Sequence, residues 1–518
     1  MIMMKTCKRI LGCLVVIGCV TGAEADALSV TPSVPTAQRT KSWWLPHFDE
    51  KKALAVTGCC DVVFVGDSIT HNWETKGVGV WARNFADGER RALNLGFCGD
   101  RTEHVLWRLR HGQLDGLDPK AVVLMIGTNN TGHREPDLES PFDTFCGVIA
   151  VVEDLEKRCP HAQVVLTAIF PRGATTNDEL RVRNDAVNIM LKGYVAQRVA
   201  DWKDLEKTCP GKTPVPRVLW CDFSDRLLTA DGVLTNEMAP DLLHPAEKGY
   251  EIWAKELVPY LDFALGKTAK RPAERRAYGP TAIPQSGPRA ATAAPQRYWL
   301  TGLGGKELRF QRKVNEIADG SENYYDVVLL GDSITHFWER DFHDHYVRTF
   351  AGLKTLNLAW GGHHTENVLW NITYGGFLDR LQTRIFTLLI GTNNRDDTAE
   401  DTALGIRRIL ESLAKKQPNA KVVLMPIFPR RQDEKGNRPA AYQLGSPERV
   451  RNDRVNELIR PLADGRRVFW CDFNARLTPD GGGVPPREIL RDGVHPSERG
   501  YEIWASEMMP ILGRISGG

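Results

Sequence analysis

Ser68 stands in Asp61–Trp73, DVVFVGDSITHNW, where an apolar run breaks into Gly-Asp-Ser. A hydroxyl at the turn from a buried strand into a helix has unpaired N–H groups beside it, and Gly66 allows tight backbone there. Far along the chain, Asp241 precedes His244 by three residues in DLLHP. If that loop turns tightly, the carboxylate can hold the imidazole Nδ1–H and leave Nε2 to take the serine proton. Gly99, in the Gly-rich GFCGD, can bring a backbone N–H to close approach, and Asn129 of GTNN can aim its amide inward. With the Ser68 N–H, these are three donors for an oxyanion. Such a set could carry out nucleophilic attack on an acyl carbonyl. Singly, each residue has a plainer role: a serine or asparagine as helix cap, a turn glycine, a surface turn for the Asp-His pair.

The set occurs twice. Asp326–Trp338, DVVLLGDSITHFW, matches ten of the thirteen residues of Asp61–Trp73, with Ser333 in place of Ser68. NLGFCGDRTEHVLW (Asn94–Trp107) returns as NLAWGGHHTENVLW (Asn357–Trp370), so Gly362 stands for Gly99. IGTNN recurs at Ile390–Asn394, giving Asn393, and DGVHP supplies Asp492 and His495. IFPR, RVRND, WCDF and GYEIWA also recur in the same order. This is a tandem duplication. Drift in the spacing locates insertions, before WCDF in the first copy (Asp201–Pro216) and after IFPR in the second (Arg431–Glu448). Loops after strands line α/β sites, so the copies are expected to differ in substrate preference.

Elements that position these residues can be read from the pattern between them. In the first copy, short β-branched runs at Val62–Val65, Ala92–Leu95, Val122–Ile126, Val164–Ile169 and Val218–Cys221 predict strands. Helical patterns lie between them at Glu103–Arg110, Pro141–Lys157, Glu179–Val199 and Ala246–Phe263. Apolar strands alternating with helices predict a parallel sheet covered on both faces, with its ligand site beyond the carboxyl ends of the strands. Every repeated polar motif falls at those ends.

GDSIT, the glycine of GFCGD, the asparagine of GTNN and the Asp-x-x-His together resemble the SGNH (GDSL-like) hydrolase superfamily. NLGFCGDRTEHVLWRL and GTNN are similar, within it, to platelet-activating-factor acetylhydrolase catalytic subunits and bacterial acetylesterases of that type. The resemblance covers about Trp43–Leu265 and Arg297–Gly518. It implies two flavodoxin-like three-layer α/β domains, each with a five-stranded parallel sheet of order 2-1-3-4-5. It also implies serine-dependent ester hydrolysis with neither metal nor other cofactor. Carried over residue by residue, the nucleophiles are Ser68 and Ser333, and the acid–base pairs are Asp241 with His244 and Asp492 with His495. The oxyanion donors are Gly99 with Asn129 and Gly362 with Asn393. The second copy departs from the pattern: Ala359 replaces Gly96, His363 replaces Asp100, and RDD follows its GTNN where the first has TGH. Its site is therefore the one whose turnover needs testing, the alternative being a glycan-binding copy without catalysis.

Composition sets the remaining expectations. The chain has 518 residues, 42% hydrophobic and 25% charged, which suits two soluble domains. A net charge of +2 gives no case for nucleic acid or an anionic membrane as partner. Lys5, Lys8 and Arg9 precede ILGCLVVIGCVTGA and the small residues Ala23, Ala25 and Ala27, the pattern of a secretory leader over residues 1–27. VIGC resembles a lipobox ending at Cys19, so plain cleavage and a lipid anchor through Cys19 both stay open. Either way the protein is expected to be exported, periplasmic or extracellular, with no transmembrane helix in the mature chain. Residues 266–296, rich in proline, alanine and basic side chains, read as a flexible tether between domains at 43–265 and 297–518. Seven of the eight cysteines beyond the leader fall in the first half; a bridge such as Cys159–Cys209 is open. Trp73 and Trp338 are expected to be buried, and Arg172 and Arg430 either face the site or cap a helix. Nothing resembles a lid for a long acyl chain, so the expected substrate is an acetylated carbohydrate or other small ester. A lysophospholipase or lipase is the alternative. The two domains are expected either to pair as a pseudo-dimer or to hang on the tether.

Overall fold

The computed structural model describes residues 28–33, 35, 38–56, 60–86, 90–135, 138–176, 178–208, 211, 215–272, 306–318, 323–430, 444–479 and 483–516. The leader with Cys19, most of the tether, Cys209 and most of the second-copy insertion lie outside these residues.

Each copy forms one five-stranded sheet. In the first, β1 (Val62–Gly66), β2 (Ala92–Gly96), β3 (Ala121–Met125), β4 (Gln163–Thr167) and β5 (Val218–Cys221) lie in the order β2-β1-β3-β4-β5. In the second, β6 (Tyr324–Gly331), β7 (Thr355–Ala359), β8 (Gln382–Leu389), β9 (Lys421–Leu424) and β10 (Val468–Trp470) repeat that order as β7-β6-β8-β9-β10. All neighbours pair in parallel, with Val62 opposite both Ala92 and Ala121, and Val327 opposite both Thr355 and Ile385.

Strand alternation explains why helices cover both faces. Successive side chains point to opposite sides, and every residue of β1 is buried. Val63 and Val65 enter one core, and Val62 and Phe64 the other. Val328 and Leu330 of β6 split from Val327 and Leu329 in the same way.

The helices that matter for the site follow the strands. In the first copy they are α1 (Gln38–Val56), α2 (Ser68–His71), α3 (Val78–Asn84), α4 (Thr102–Arg110), α5 (Thr128–His133), α6 (Pro141–Arg158), α7 (Glu179–Thr208) and α8 (Glu247–Ala264). In the second they are α9 (Lys306–Ala318), α10 (Ser333–Asp341), α11 (His343–Thr349), α12 (Thr365–Thr373), α13 (Ala399–Lys416), α14 (Pro447–Ile459), α15 (Asn474–Leu477) and α16 (Glu498–Ser516).

Two features differ from the sequence expectation. Helix α7 runs to Thr208 rather than ending at Val199, so the first half of the Asp201–Pro216 insertion is helical. DWKDLEKT holds no proline or glycine, and half of it (two lysines, a leucine and a glutamate) favours helix; the breakers arrive only at Pro210 and Gly211. The folded body also begins before Trp43. Helix α1 starts at Gln38, and Thr102 Oγ1 donates to the Ser29 carbonyl at 2.8 Å.

At the far end, Arg271 donates to the carbonyls of Pro216 (3.4 Å) and Val218 (3.2 Å), so the first residues assigned to the tether lie along β5. Cys159 is a buried free thiol, and its suggested partner Cys209 is outside the described residues. Among the described residues no helix is long and apolar enough to cross a membrane.

Candidate active site

β1 ends at Gly66, where a Cβ would run into the Thr70 hydroxyl and the Met125 carbonyl, so the chain can turn this closely only with glycine. Asp67 caps α2, its Oδ1 accepting from Ile69 N–H at 2.9 Å, and Ser68 is the first helical residue. Asp332 caps α10 in the same way at 2.9 Å, ahead of Ser333. The opposite side of this turn is tied to the last helix: Tyr250 Oη donates to the Ile69 carbonyl at 2.7 Å and Tyr501 Oη to that of Ile334 at 2.8 Å. The serine is thus held from the strand, from its cap and from the last helix of the domain.

Ser68 Oγ lies 2.8 Å from His244 Nε2, and His244 Nδ1 lies 2.7 Å from Asp241 Oδ2. Ser333 Oγ lies 2.8 Å from His495 Nε2, and His495 Nδ1 lies 2.6 Å from Asp492 Oδ2. The Asp-x-x-His loop closes on itself because the other carboxylate oxygen accepts the histidine's own backbone N–H, at 2.7 Å in the first copy and 2.8 Å in the second. Between them the chain passes through the left-handed region, at Leu242 (φ +56°) and at Gly493 (φ +86°). The second copy meets that demand with glycine; the first holds a leucine there, anchored by Gly173 N–H on the Leu242 carbonyl at 2.8 Å.

Burial raises the Asp241 carboxyl, but hydrogen bonds from the His244 ring and backbone and from Leu243 N–H outweigh it and hold the group down at about 2. Asp492 is lowered by the corresponding bonds. Both stay charged wherever a histidine could cycle. Asp67 behaves oppositely. Full burial pushes it up to about 7 against the Ile69 N–H bond, and Asp332 likewise up to about 6. The second oxygen of each has no hydrogen-bond partner, as suits a carboxyl held by its cap rather than an ion-pairing group.

The glycine loop hangs from the nucleophile turn. Phe97 N–H donates to the Gly66 carbonyl at 3.1 Å, Asp100 N–H closes a turn on Phe97 at 3.1 Å, and Gly99 sits in that turn at φ +77°. In the second copy Trp360 donates to Gly331 at 3.4 Å and Gly362 sits at φ +73°. Asn129 Nδ2 donates to the Asp100 carbonyl at 2.8 Å, and Asn393 Nδ2 to that of His363 at 2.8 Å. Each asparagine therefore lies beside the glycine expected to work with it. An N–H pair aimed from this loop and from α2 can stabilise charge that develops on a carbonyl oxygen.

Other side chains brace this arrangement, in roles that the sequence did not specify. Arg172 Nη1 donates to the Thr128 carbonyl (2.9 Å) and Oγ1 (3.3 Å), fixing the turn that carries Asn129. Arg430 does the same for Thr392, at 3.1 and 3.2 Å. Both arginines thus brace the loop that carries the asparagine. Behind the glycine loop, Asp100 is fully buried, accepting from Trp44 Nε1 at 2.6 Å and Arg108 Nε at 2.9 Å. In the second copy His363 and Asn371 replace that ion pair, and Arg309 reaches in from α9 to the carbonyls of Ala359 and Asn357, both at 3.1 Å. The paired change of Asp100 and Arg108 between copies was the available signal. Trp73 and Trp338 are fully buried, as expected. Among the described residues no group of three or more His, Cys, Asp or Glu could hold a metal ion.

The model of the GDSL-like lipase/acylhydrolase family matches twice, over residues 64–252 and 329–503. The chain belongs to the GDSL-like lipase/acylhydrolase family. Two matches in tandem make it a duplicated GDSL-like acylhydrolase and a carboxylic ester hydrolase. It is 33% identical over 193 residues to the platelet-activating factor acetylhydrolase IB subunit alpha1 of Bos taurus, covering 37% of this chain and 70% of that protein. It is 30% identical over 217 residues to the alpha2 subunit of Gallus gallus, covering 42% and 81%. Among solved structures, a GDSL-like lipase from Bacteroides thetaiotaomicron is 16% identical with a TM-score of 0.32, covering 40% of this chain and 97% of that one.

Proposed function

We propose that this GDSL-like acylhydrolase is a carbohydrate O-acetyl esterase with two working sites. The observation that carries two sites rather than one is the repeated 2.8 Å approach of Oγ to Nε2, with an ionised carboxylate behind each imidazole. His244 takes the proton of Ser68 as Oγ attacks the acyl carbonyl. Gly99 N–H, Asn129 Nδ2 and Ser68 N–H hold the oxyanion. As the tetrahedral species collapses, Nε2 passes its proton to the departing alcohol oxygen and an acyl-serine remains. Water then attacks that ester as His244 takes its proton, and on collapse Nε2 returns the proton to Ser68 Oγ, releasing the acid and the free serine. Ser333, His495, Asp492, Gly362 and Asn393 repeat each step.

The carbohydrate substrate is supported by the secretory pattern of residues 1–27 and by the lack of a lid-like apolar segment in the sequence. Export follows from the same leader, with Cys19 as its anchor if the lipobox is processed. A lipid-ester reading has one specific support: the relatives act, by name, on platelet-activating factor. Both readings share an acetyl group. The domains are also inferred to pair as a pseudo-dimer, supported by one buried cluster that joins Phe142 and Phe145 to Phe310 and Phe377. Arg380 lies 3.7 Å from Asp143 at the same contact.

Ser68→Ala, Ser333→Ala and the double variant are to be assayed on p-nitrophenyl acetate, on longer acyl esters and for acetate release from acetylated xylan. Each single variant keeps part of the activity, the double variant loses it, and rates fall beyond butyrate. Preference for long acyl chains, or no acetate from any acetylated glycan, rejects the carbohydrate reading. Loss of all activity in Ser68→Ala alone means that the second copy is not an esterase on these substrates.

A further inference from the structure

The two copies diverge on the wall beside the serine. Asn72 and Cys98 of the first stand where the second has Phe337 and Gly361. A Cβ on Gly361 would lie 3.6 Å from Phe337 Cε1 and 3.8 Å from Ser333 Cβ. The ring therefore borders the volume a side chain at residue 361 would use, and that volume reaches Ser333. In the first copy that volume belongs to Cys98, whose Sγ lies 3.2 Å from His71 Nδ1, and residue 72 is a small amide. One wall has been rebuilt by two coupled changes, thiol with amide in one copy and phenyl with glycine in the other.

The phenyl ring also covers the base. Its centroid lies 4.7 Å from that of His495 at an interplanar angle of 36°. The Arg340 guanidinium carbon sits 3.6 Å from the same centroid, braced by Asp341 at 2.9 Å. Thr75 and Lys76 occupy those two positions in the first copy, so the brace is absent there. The His495 side chain is 7% exposed and that of His244 is 22% exposed.

Location decides what the ring selects. The departing alcohol takes its proton from Nε2, so it must lie against the imidazole. A group packed on His495 therefore meets the alcohol half of the ester. We propose that Phe337 sets the leaving-group specificity of the second site. It favours alcohols with a flat apolar face, an aryl or benzyl group or the carbon face of a sugar ring, and the Asn72–Cys98 wall of the first site lacks that selection. The inference rests on the ester-hydrolysis reading of both sites. Aromatic contacts of this kind contribute up to roughly a factor of ten.

The test uses the full chain. Ser68→Ala isolates the second site and Ser333→Ala the first. In each, kcat/KM is measured for benzyl acetate and n-propyl acetate, whose alcohols have similar basicity. The benzyl-to-propyl ratio is expected to be higher in Ser68→Ala by about fivefold or more. Phe337→Ala in that background removes most of the preference, and Phe337→Tyr keeps it. Asn72→Phe with Cys98→Gly in the Ser333→Ala background raises the ratio. Partial misfolding lowers both rates and does not mimic a changed ratio. Equal ratios in the two backgrounds, unmoved by Phe337→Ala and by the reciprocal swap, overturn the proposal. If Ser68→Ala hydrolyses neither ester, the two-site reading has failed instead. The swap in the first copy then decides alone: a raised ratio supports the role of the ring and an unchanged one overturns it.

Discussion

Ser333 Oγ and His495 Nε2 are 2.8 Å apart although 162 positions separate them in the chain. Ser68 and His244 reach the same 2.8 Å across 176 positions. Insertions have changed the loops between these residues without moving the end points. The parallel sheet explains this: the serine follows the first strand of each copy and the histidine precedes the last helix, both at the carboxyl edge.

The carboxylates should matter through the imidazole they hold. In the Ser333→Ala background, Asp241→Asn is expected to lower kcat by about 10²-fold or more while KM stays within a few-fold, because the amide no longer fixes the productive tautomer. Steady-state kinetics on p-nitrophenyl acetate check this. Since Asp241 stays charged down to about pH 2, the wild-type rate between pH 4 and 8 should show no inflection that Asp241→Asn removes.

Asn129 should act on the barrier rather than on binding. Asn129→Ala in the same background is expected to lower kcat by about 10²–10³-fold with little change in KM. Arg172→Ala, which releases the Thr128 turn behind it, should give a smaller loss of the same kind. A rise in KM with kcat intact would place Asn129 in substrate binding instead.

Asp67 should make stability fall as pH rises. Folded, it keeps its proton up to about pH 7; unfolded, it loses it near the ordinary value of about 4. The folded state then binds more protons between those limits, so stability is lost across that window. Asp67→Asn keeps the capping oxygen and removes the ionisation. Its melting temperature relative to wild type should climb from pH 4 to pH 8, by an amount equivalent to the order of a few kcal/mol. A difference that is flat with pH contradicts the assignment.

Much of this was legible in advance, and the failures have physical causes. The serines, histidines and aspartates stood out because a duplicated chain supplies its own comparison. Apolar runs alternating with helices pointed to a parallel sheet, and its strand order followed from the resemblance to the SGNH superfamily. Helix α1 escaped notice because Pro46 interrupts it and its burial comes from tertiary packing of Trp44 and Phe48 rather than from a clean apolar stripe. The extension of α7 was hidden in a stretch that looked like an insertion. Phe337 was visible as a mismatch with Asn72, yet its contact with His495 depends on a loop that arrives 158 residues later.

The buried pair behind the glycine loop offers a test in which the second copy is the template. Arg108→Asn alone strands the Asp100 carboxylate in the core and is expected to cost about 3–5 kcal/mol. Asp100→His with Arg108→Asn, the combination found at His363 and Asn371, should cost less than Arg108→Asn alone. Thermal unfolding of the first domain checks the order. A double variant less stable than the single one would mean that Arg309, rather than the His363 and Asn371 combination, carries the second copy.

Active-site titration with diethyl p-nitrophenyl phosphate reaches the central claim most directly, because each competent serine releases one p-nitrophenolate and keeps the phosphoryl group. Two equivalents per chain are expected for the wild type, one for Ser68→Ala, one for Ser333→Ala and none for the double variant, with the adducts mapping to Ser68 and Ser333. Release from the double variant, or adducts on other residues, would contradict the account.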